Sequence, residues 1–201
     1  MENTLVHRDD KGSRLGMWIF LFTEMLLFGG LFLVYAVYRS IYPESFHEAA
    51  MELDAFIGAT NTVVLLVSSM TIAMAITAVQ KKNSKLAKRL IIITILLAIV
   101  FLVNKYFEWG HKAHLDLIPG SDLMLQLDRG HIMFFGLYFF MTGLHALHIL
   151  IGLTLLIICW FKVKSGKIND DQHTLLMNSG LYWHLVDLIW IFLFPLLYLI
   201  S

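Results

Sequence analysis

Cysteine is almost missing from this sequence: Cys159 is the only one in 201 residues. A lone thiol excludes an internal disulfide framework and a cysteine-built metal site. Its position inside an apolar run marks it as a small core residue. Charge is thin as well. Only 15% of the residues are Asp, Glu, Lys or Arg, and the fifteen bases balance the fifteen acids. No basic domain exists, so the electrostatic footprint of a nucleic-acid binder is absent. There is no Walker sequence, glycine-rich phosphate loop or metallohydrolase motif. Internal repeats, low-complexity tracts and linkers long enough to separate a second domain are lacking too.

What remains is apolar. Hydrophobic residues make up 58% of the chain, where a soluble domain holds roughly 45–50%, and the mean hydropathy is +0.72. Five long apolar runs stand out, at 15–38, 56–79, 90–109, 131–161 and 177–200. They are too long and too continuously apolar for barrel strands, so the expected fold is an all-α membrane protein, a bundle of five transmembrane helices. Residues 1–14 form a polar tail, and 15–201 form one domain. The first run is too long for a signal-peptide core and has no small-residue cleavage site after it, so it reads as a retained span. The fourth exceeds the roughly 20 residues that cross a bilayer, so it tilts or projects.

Basic residues orient the bundle. The tail carries Arg8, Lys11 and Arg14. The second connection carries Lys81, Lys82, Lys85, Lys88 and Arg89, and the fourth carries Lys162, Lys164 and Lys167. The opposite side has only Arg39, Lys105, Lys112 and Arg129, so eleven bases face four. Basic connections stay in the cytoplasm. The N-terminus is therefore expected inside and the C-terminus outside, with an acidic first external loop of Glu44, Glu48, Glu52 and Asp54.

The functional candidates are the polar groups within the spans, because an intramembrane ionisable side chain is costly and needs a reason. Glu24 lies about nine residues into the first span, roughly 14 Å deep, and Asp187 lies about ten residues into the fifth, roughly 15 Å deep. His184 and Asp187 are three apart and share a helix face, as do His145 and His148. Glu24, His145, His148, His184 and Asp187 either make one polar layer or are satisfied separately. The second span is rich in small and hydroxyl residues, with Asn61, Thr62, Ser68, Ser69, Thr71, Ala73 and Ala75, which suit close helix contacts. Gly29-Gly30, Gly143 and Gly152 read the same way. Pro195 removes one helical hydrogen bond near the outer end of the last span. Trp18, Trp109 and Trp160 stand near span ends as interfacial anchors, and Trp183 and Trp190 are packing aromatics.

Two other chemistries could use some of these residues. His131 and His145 are fourteen apart, the spacing of helices that carry two stacked haems, but no second helix offers a matching pair. A small b-type cytochrome would have to hold one haem between His184 and His145 or His148. A proton-coupled transporter would use Glu24 and Asp187, but no inverted repeat or pair of broken helices accompanies them.

Four stretches then resemble one family, subunit III of the haem–copper terminal oxidases. Gly16-Met17-Trp18-Ile19-Phe20-Leu21-Phe22-Thr23-Glu24-Met25-Leu26-Leu27-Phe28 is similar to that family's first shared helix, with its carbodiimide-reactive glutamate at Glu24. Asn61-Thr62 through Leu65-Leu66-Val67-Ser68-Ser69 resembles its next helix. Thr142-Gly143-Leu144-His145-Ala146-Leu147-His148 with Gly152 fits the pattern TGxHxxHxxxG. Tyr182-Trp183-His184-Leu185-Val186-Asp187-Leu188-Ile189-Trp190 fits YWHxVDxxW. Tyr106 to Glu108 falls where the family has an aromatic–acidic cluster. There are two departures. Longer members have seven spans, and this chain begins at what would be their third. Met177 stands where many relatives have a glutamate.

The resemblance implies a non-catalytic subunit with no redox centre of its own, in a proton-translocating complex of a bacterial inner membrane. The haem and copper would belong to the partner, subunit I, joined by further oxidase subunits alone or within a respiratory supercomplex. This chain would hold phospholipids, stabilise the partner and support proton uptake during electron transfer to oxygen. Glu24 and Asp187 form the implied proton or carboxylate site. His145, His148, His184, Glu108 and His173 form the implied lipid- or partner-facing layer. Asn61, Ser68, Ser69, Gly143, Gly152, Trp183 and Trp190 pack the helices. The accessory membrane subunit of nitric oxide reductases has a similar five-span form and is the alternative within the family.

Overall fold

The computed structural model describes residues 10–199. Within them the chain is helical, with no strand: α1 Asp10–Ile41, α2 Pro43–Met51, α3 Ala55–Gln80, α4 Ser84–His114, α5 Asp122–Gln126, α6 Arg129–Lys164 and α7 Thr174–Tyr198. Five of these, α1, α3, α4, α6 and α7, are long and apolar enough to cross a membrane. The helices run past the apolar stretches because capping and polar end turns extend them, most of all in α4. Arg8 and the rest of 1–9, and the expected end of the last span at Ile200, lie outside the described residues.

The ends of the helices follow from local chemistry. The Asp54 carboxylate accepts from the N–H groups of Phe56 at 2.9 Å and Ile57 at 3.2 Å, and the Asn83 side chain accepts from the Leu86 N–H at 3.1 Å. These caps satisfy donors that the first helical turn leaves free. The acidic first loop is itself a helix, α2. Pro43 opens it and Glu44 faces its positive end. Its apolar side seats Phe46 between Tyr35 and Phe134, at ring separations of 5.3 and 5.5 Å.

Asp128 caps α6 by accepting from the Gly130 N–H at 3.0 Å and from the Ser45 hydroxyl at 2.7 Å, and it also meets His131. Slight burial pushes its carboxyl up, but the bonds from Ser45, His131 and Gly130 outweigh that and hold it below the ordinary carboxylate range. Asp128→Ala is therefore expected to cost about 1 kcal/mol in thermal unfolding in detergent. A carboxyl depressed by folding stabilises above the unfolded value and loses that effect as the pH falls through the folded one. The deficit of the variant is thus full above about pH 4 and shrinks in more acidic buffer.

α7 packs antiparallel to α3 and α6 and parallel to α1, and α4 closes the bundle against α3 and α6. Along α3, Gly58, Thr62, Ser68, Ser69 and Ile76 meet, in turn, Tyr198, Trp190, Trp183, His184 and Gly180 of α7. Small and hydroxyl groups on α3 therefore face bulky rings on α7, whereas Asn61 turns to α4 and accepts from Asn104. Ala73 differs, because it points outward. α1 rests only on α6, α7 and α2. Along its most apolar stretch 11% of residues are buried, against 56% for α7.

Two expectations fail. Lys105 and Lys112 are not loop residues. Both lie within α4 and are buried, so the outer connections are poorer in bases than the sequence count suggests. Gly29 and Gly30 make no tight contact either, since a methyl group added at either position would meet nothing within 4 Å.

Candidate functional site

Glu24 of α1 and His148 of α6, 124 positions apart, come together, with Oε2 to Nε2 at 3.0 Å. The other ring nitrogen, Nδ1, lies 2.8 Å from the Leu144 carbonyl. A carbonyl only accepts, so Nδ1 carries a hydrogen, and Nε2 is the nitrogen that shares a proton with Glu24. The Tyr182 hydroxyl donates to the His148 carbonyl at 3.1 Å. Phe28 meets the His148 ring edge-on at 5.4 Å, and Tyr182 stacks on it at 6.4 Å. The pair is thus fixed in place by aromatics and mostly sealed, with the Glu24 side chain 15% exposed. It can hold a proton, pass one along the Oε2–Nε2 line, or present a carboxyl and an imidazole to an adjoining group.

His184 and Asp187 share a face of α7 but are not bonded to each other. His184 Nδ1 pairs instead with the Ser69 hydroxyl of α3 at 2.6 Å. Asp187 is buried, and neither of its carboxylate oxygens has a hydrogen-bond partner among the described residues. The three-residue spacing correctly put both on one side. It could not show that a serine on another helix stands closer to the ring.

His145 lies three residues before His148 on α6 and is buried without a hydrogen bond on either nitrogen among the described residues. Its ring sits between Phe101 at 5.6 Å and Trp190 at 5.2 Å. The polar candidates therefore occupy neighbouring levels rather than one bonded layer. His173 stands at the start of α7, half-buried, and makes no capping bond. Cys159 is buried, with Sγ 3.4 Å from the Ser179 hydroxyl. Met177 accepts from Arg14 at 3.6 Å.

The packing residues frame these levels. Trp183 Nε1 donates to Ser68 at 3.0 Å, Trp190 Nε1 to Thr62 at 3.1 Å, and Asn104 to Asn61 at 2.8 Å. A methyl group added at Gly152 would lie 2.8 Å from the Trp183 ring and 3.2 Å from Tyr182. Glycine is what lets α6 and α7 close at this level. Gly143 is looser, with the Trp109 ring at 3.8 Å from the same hypothetical methyl. Trp109 is half-buried against Phe139 at 6.1 Å.

One buried ionic assembly was missed as such. Lys105 Nζ lies 3.1 Å from Glu108 Oε1, 3.3 Å from the Tyr138 hydroxyl and 2.6 Å from the Tyr198 hydroxyl. Both tyrosines also donate to Glu108, and the ammonium sits 5.1 Å from the Trp190 ring centroid. Glu108 is thus an internal ion-pair partner, not a surface-facing group. The signal was present in the sequence: a Lys and a Glu three apart on one helix, followed by further basic residues. Among the described residues no group of three or more His, Cys, Asp or Glu could hold a metal ion.

A helical bundle with buried acids and imidazoles between five candidate spans defines a multi-pass membrane protein with an internal polar site. Residues 3–201 match the family described as "Cytochrome c oxidase subunit III", and the chain belongs to that family. It is similar to "Cytochrome c oxidase subunit 3" of Thermostichus vulcanus, 32% identical over 93% of this chain and 87% of that one. It is also similar to "Probable quinol oxidase subunit 3" of Staphylococcus saprophyticus, 31% identical over 99% and 95%. A third relative, "Heme-copper oxidase subunit I+III" of Aeropyrum pernix, is 31% identical over 93% of this chain and 22% of its own length.

Proposed function

We propose that this chain is the non-catalytic subunit III of a bacterial terminal oxidase, seated in the inner membrane beside a haem–copper subunit I that carries the redox centres. The observation that carries this reading is the Aeropyrum relative, whose name joins subunits I and III in one polypeptide. Two parts fused in one chain are parts that work side by side in others. The N-terminal tail, 1–14, lies in the cytoplasm, and 15–201 forms a single membrane domain ending outside. The basic turn between α3 and α4 supports that orientation.

Within the complex the chain stabilises subunit I, holds phospholipid and supports proton uptake. The geometry in favour is the Glu24–His148 pair, a proton-sharing couple with a sliver of exposure near mid-bilayer. Asp187, buried without a partner among the described residues, is the second carboxyl able to take up a proton.

The test is purification of the tagged full-length chain from its own membrane. Haem absorbance and copper are expected to co-elute with it. A chain that elutes alone, free of any haem–copper subunit, overturns the reading. A sharper prediction concerns Glu24. Glu24→Gln keeps a donor for Nε2 and should leave co-elution and thermal stability unchanged. Glu24→Leu strands the imidazole and should cost about 1–3 kcal/mol, seen as a lower unfolding temperature and weaker recovery of the partner. Equal behaviour of the two variants contradicts a structural role for the pair.

A further inference from the structure

The start of α4 and the end of α6 form a groove of about 290 Å³ lined by Lys85, Lys88, Arg89, Ile92, Trp160 and Lys164. Four of these six side chains are cationic. None of the four makes an ion pair among the described residues. On the connection after α6, Asp170 is taken by Lys82 at 3.0 Å, and Asp171 also acts on Lys82. The first turn of α4 holds no acidic residue to offset the charge.

The groove is graded along the membrane normal. Ile92 stands one turn inward of Lys88 on α4, and Trp160 stands one turn inward of Lys164 on α6. Lys164 Nζ lies 5.1 Å from the centroid of the Trp160 ring, which ties the charged rim to the apolar floor. A free phosphate would match the rim and leave the floor unused. A choline headgroup would bring its own cation against four others. A lipid with a net negative headgroup matches both levels, with its phosphate among the bases and its glycerol and first methylenes on Ile92 and the indole. Basic pockets between transmembrane helices take such headgroups, and the Trp is at home at that depth.

We propose that this groove is a binding site for an anionic phospholipid of the phosphatidylglycerol type. It is remote in the fold from Glu24 and His148. It rests on the chain's spanning a membrane but on no role for that pair, and it stands whether or not a haem–copper partner co-purifies.

The experiment is native mass spectrometry of the full-length chain released from detergent after titration with phosphatidylglycerol, phosphatidylcholine or inorganic phosphate. The expected result is one retained phosphatidylglycerol, bound at least about tenfold more tightly than phosphatidylcholine and weakened by salt. The Lys85→Gln/Lys88→Gln/Arg89→Gln/Lys164→Gln variant should lose that lipid. Lys81→Gln/Lys82→Gln, which removes two charges from the same turn outside the groove, should keep it. Equal retention of both lipids by the wild type overturns the proposal and needs no variant to be read. So does full retention by the groove variant, or displacement of the lipid by inorganic phosphate alone. Should the fourfold variant fold poorly, Lys88→Gln/Lys164→Gln takes its place, with one charge lost on each helix.

Discussion

Replacing Lys105 by methionine is expected to destabilise the bundle by about 3–5 kcal/mol, because it leaves Glu108 ionised or unpaired in the interior. The cost comes less from the lost attraction than from what stays behind. Glu108 Oε1 receives the Lys105 ammonium at 3.1 Å and both tyrosine hydroxyls, while its second oxygen has no partner among the described residues. Removing the ammonium strands that carboxylate between α4, α6 and α7. The double variant Lys105→Met/Glu108→Gln should recover most of the loss, because a neutral amide carbonyl still accepts from Tyr138 and Tyr198 and no charge remains to solvate. Thermal unfolding of the detergent-solubilised chain reads both. If the double variant is no more stable than the single one, the ion pair is not what holds these three helices together at this level.

Gly152→Val should be nearly as damaging, for a steric reason. The first carbon of any side chain would fall 2.8 Å from Cε3 of Trp183, and the branches would fall closer still. The indole is pinned by its bond to Ser68 and cannot swing away without breaking it. Overpacking of this kind costs about 1–3 kcal/mol, and the loss of the Trp183–Ser68 or Tyr182–His148 bond adds to it. Gly29→Ala is the matched control: nothing lies within 4 Å of the added methyl, so stability should hold or rise slightly. Equal damage from both substitutions would mean that the α6–α7 contact does not require a glycine.

The five spans were legible because membrane helices announce themselves by length and apolarity alone. The same property hid the helix faces. When nearly every position is apolar, periodicity no longer separates lipid from core, and Gly29-Gly30 read as a contact that the chain does not make. Capping went unread: Asp54 counted only as a loop acid, Asn83 passed unnoticed, and the acidic loop concealed α2. Polar groups were found as individuals but not as couples. Glu24 and His148 needed the fold to meet. His184 was matched with Asp187 because helical spacing is all that one segment offers, whereas Ser69 arrives from another helix. Lys105 was read as a loop base because positive charge is counted towards topology before it is considered as a buried partner.

Biosynthesis meets a problem in the Glu24–His148 pair. At about 5–20 residues per second, the ribosome needs about 6–25 s to make the 124 residues between them. During that interval the first helix sits in the bilayer, or beside the translocon, with an unmatched carboxyl in its middle. α6 then supplies the imidazole, and α7 supplies the tyrosine 34 residues later. The N-terminal helix is thus threaded first and secured last.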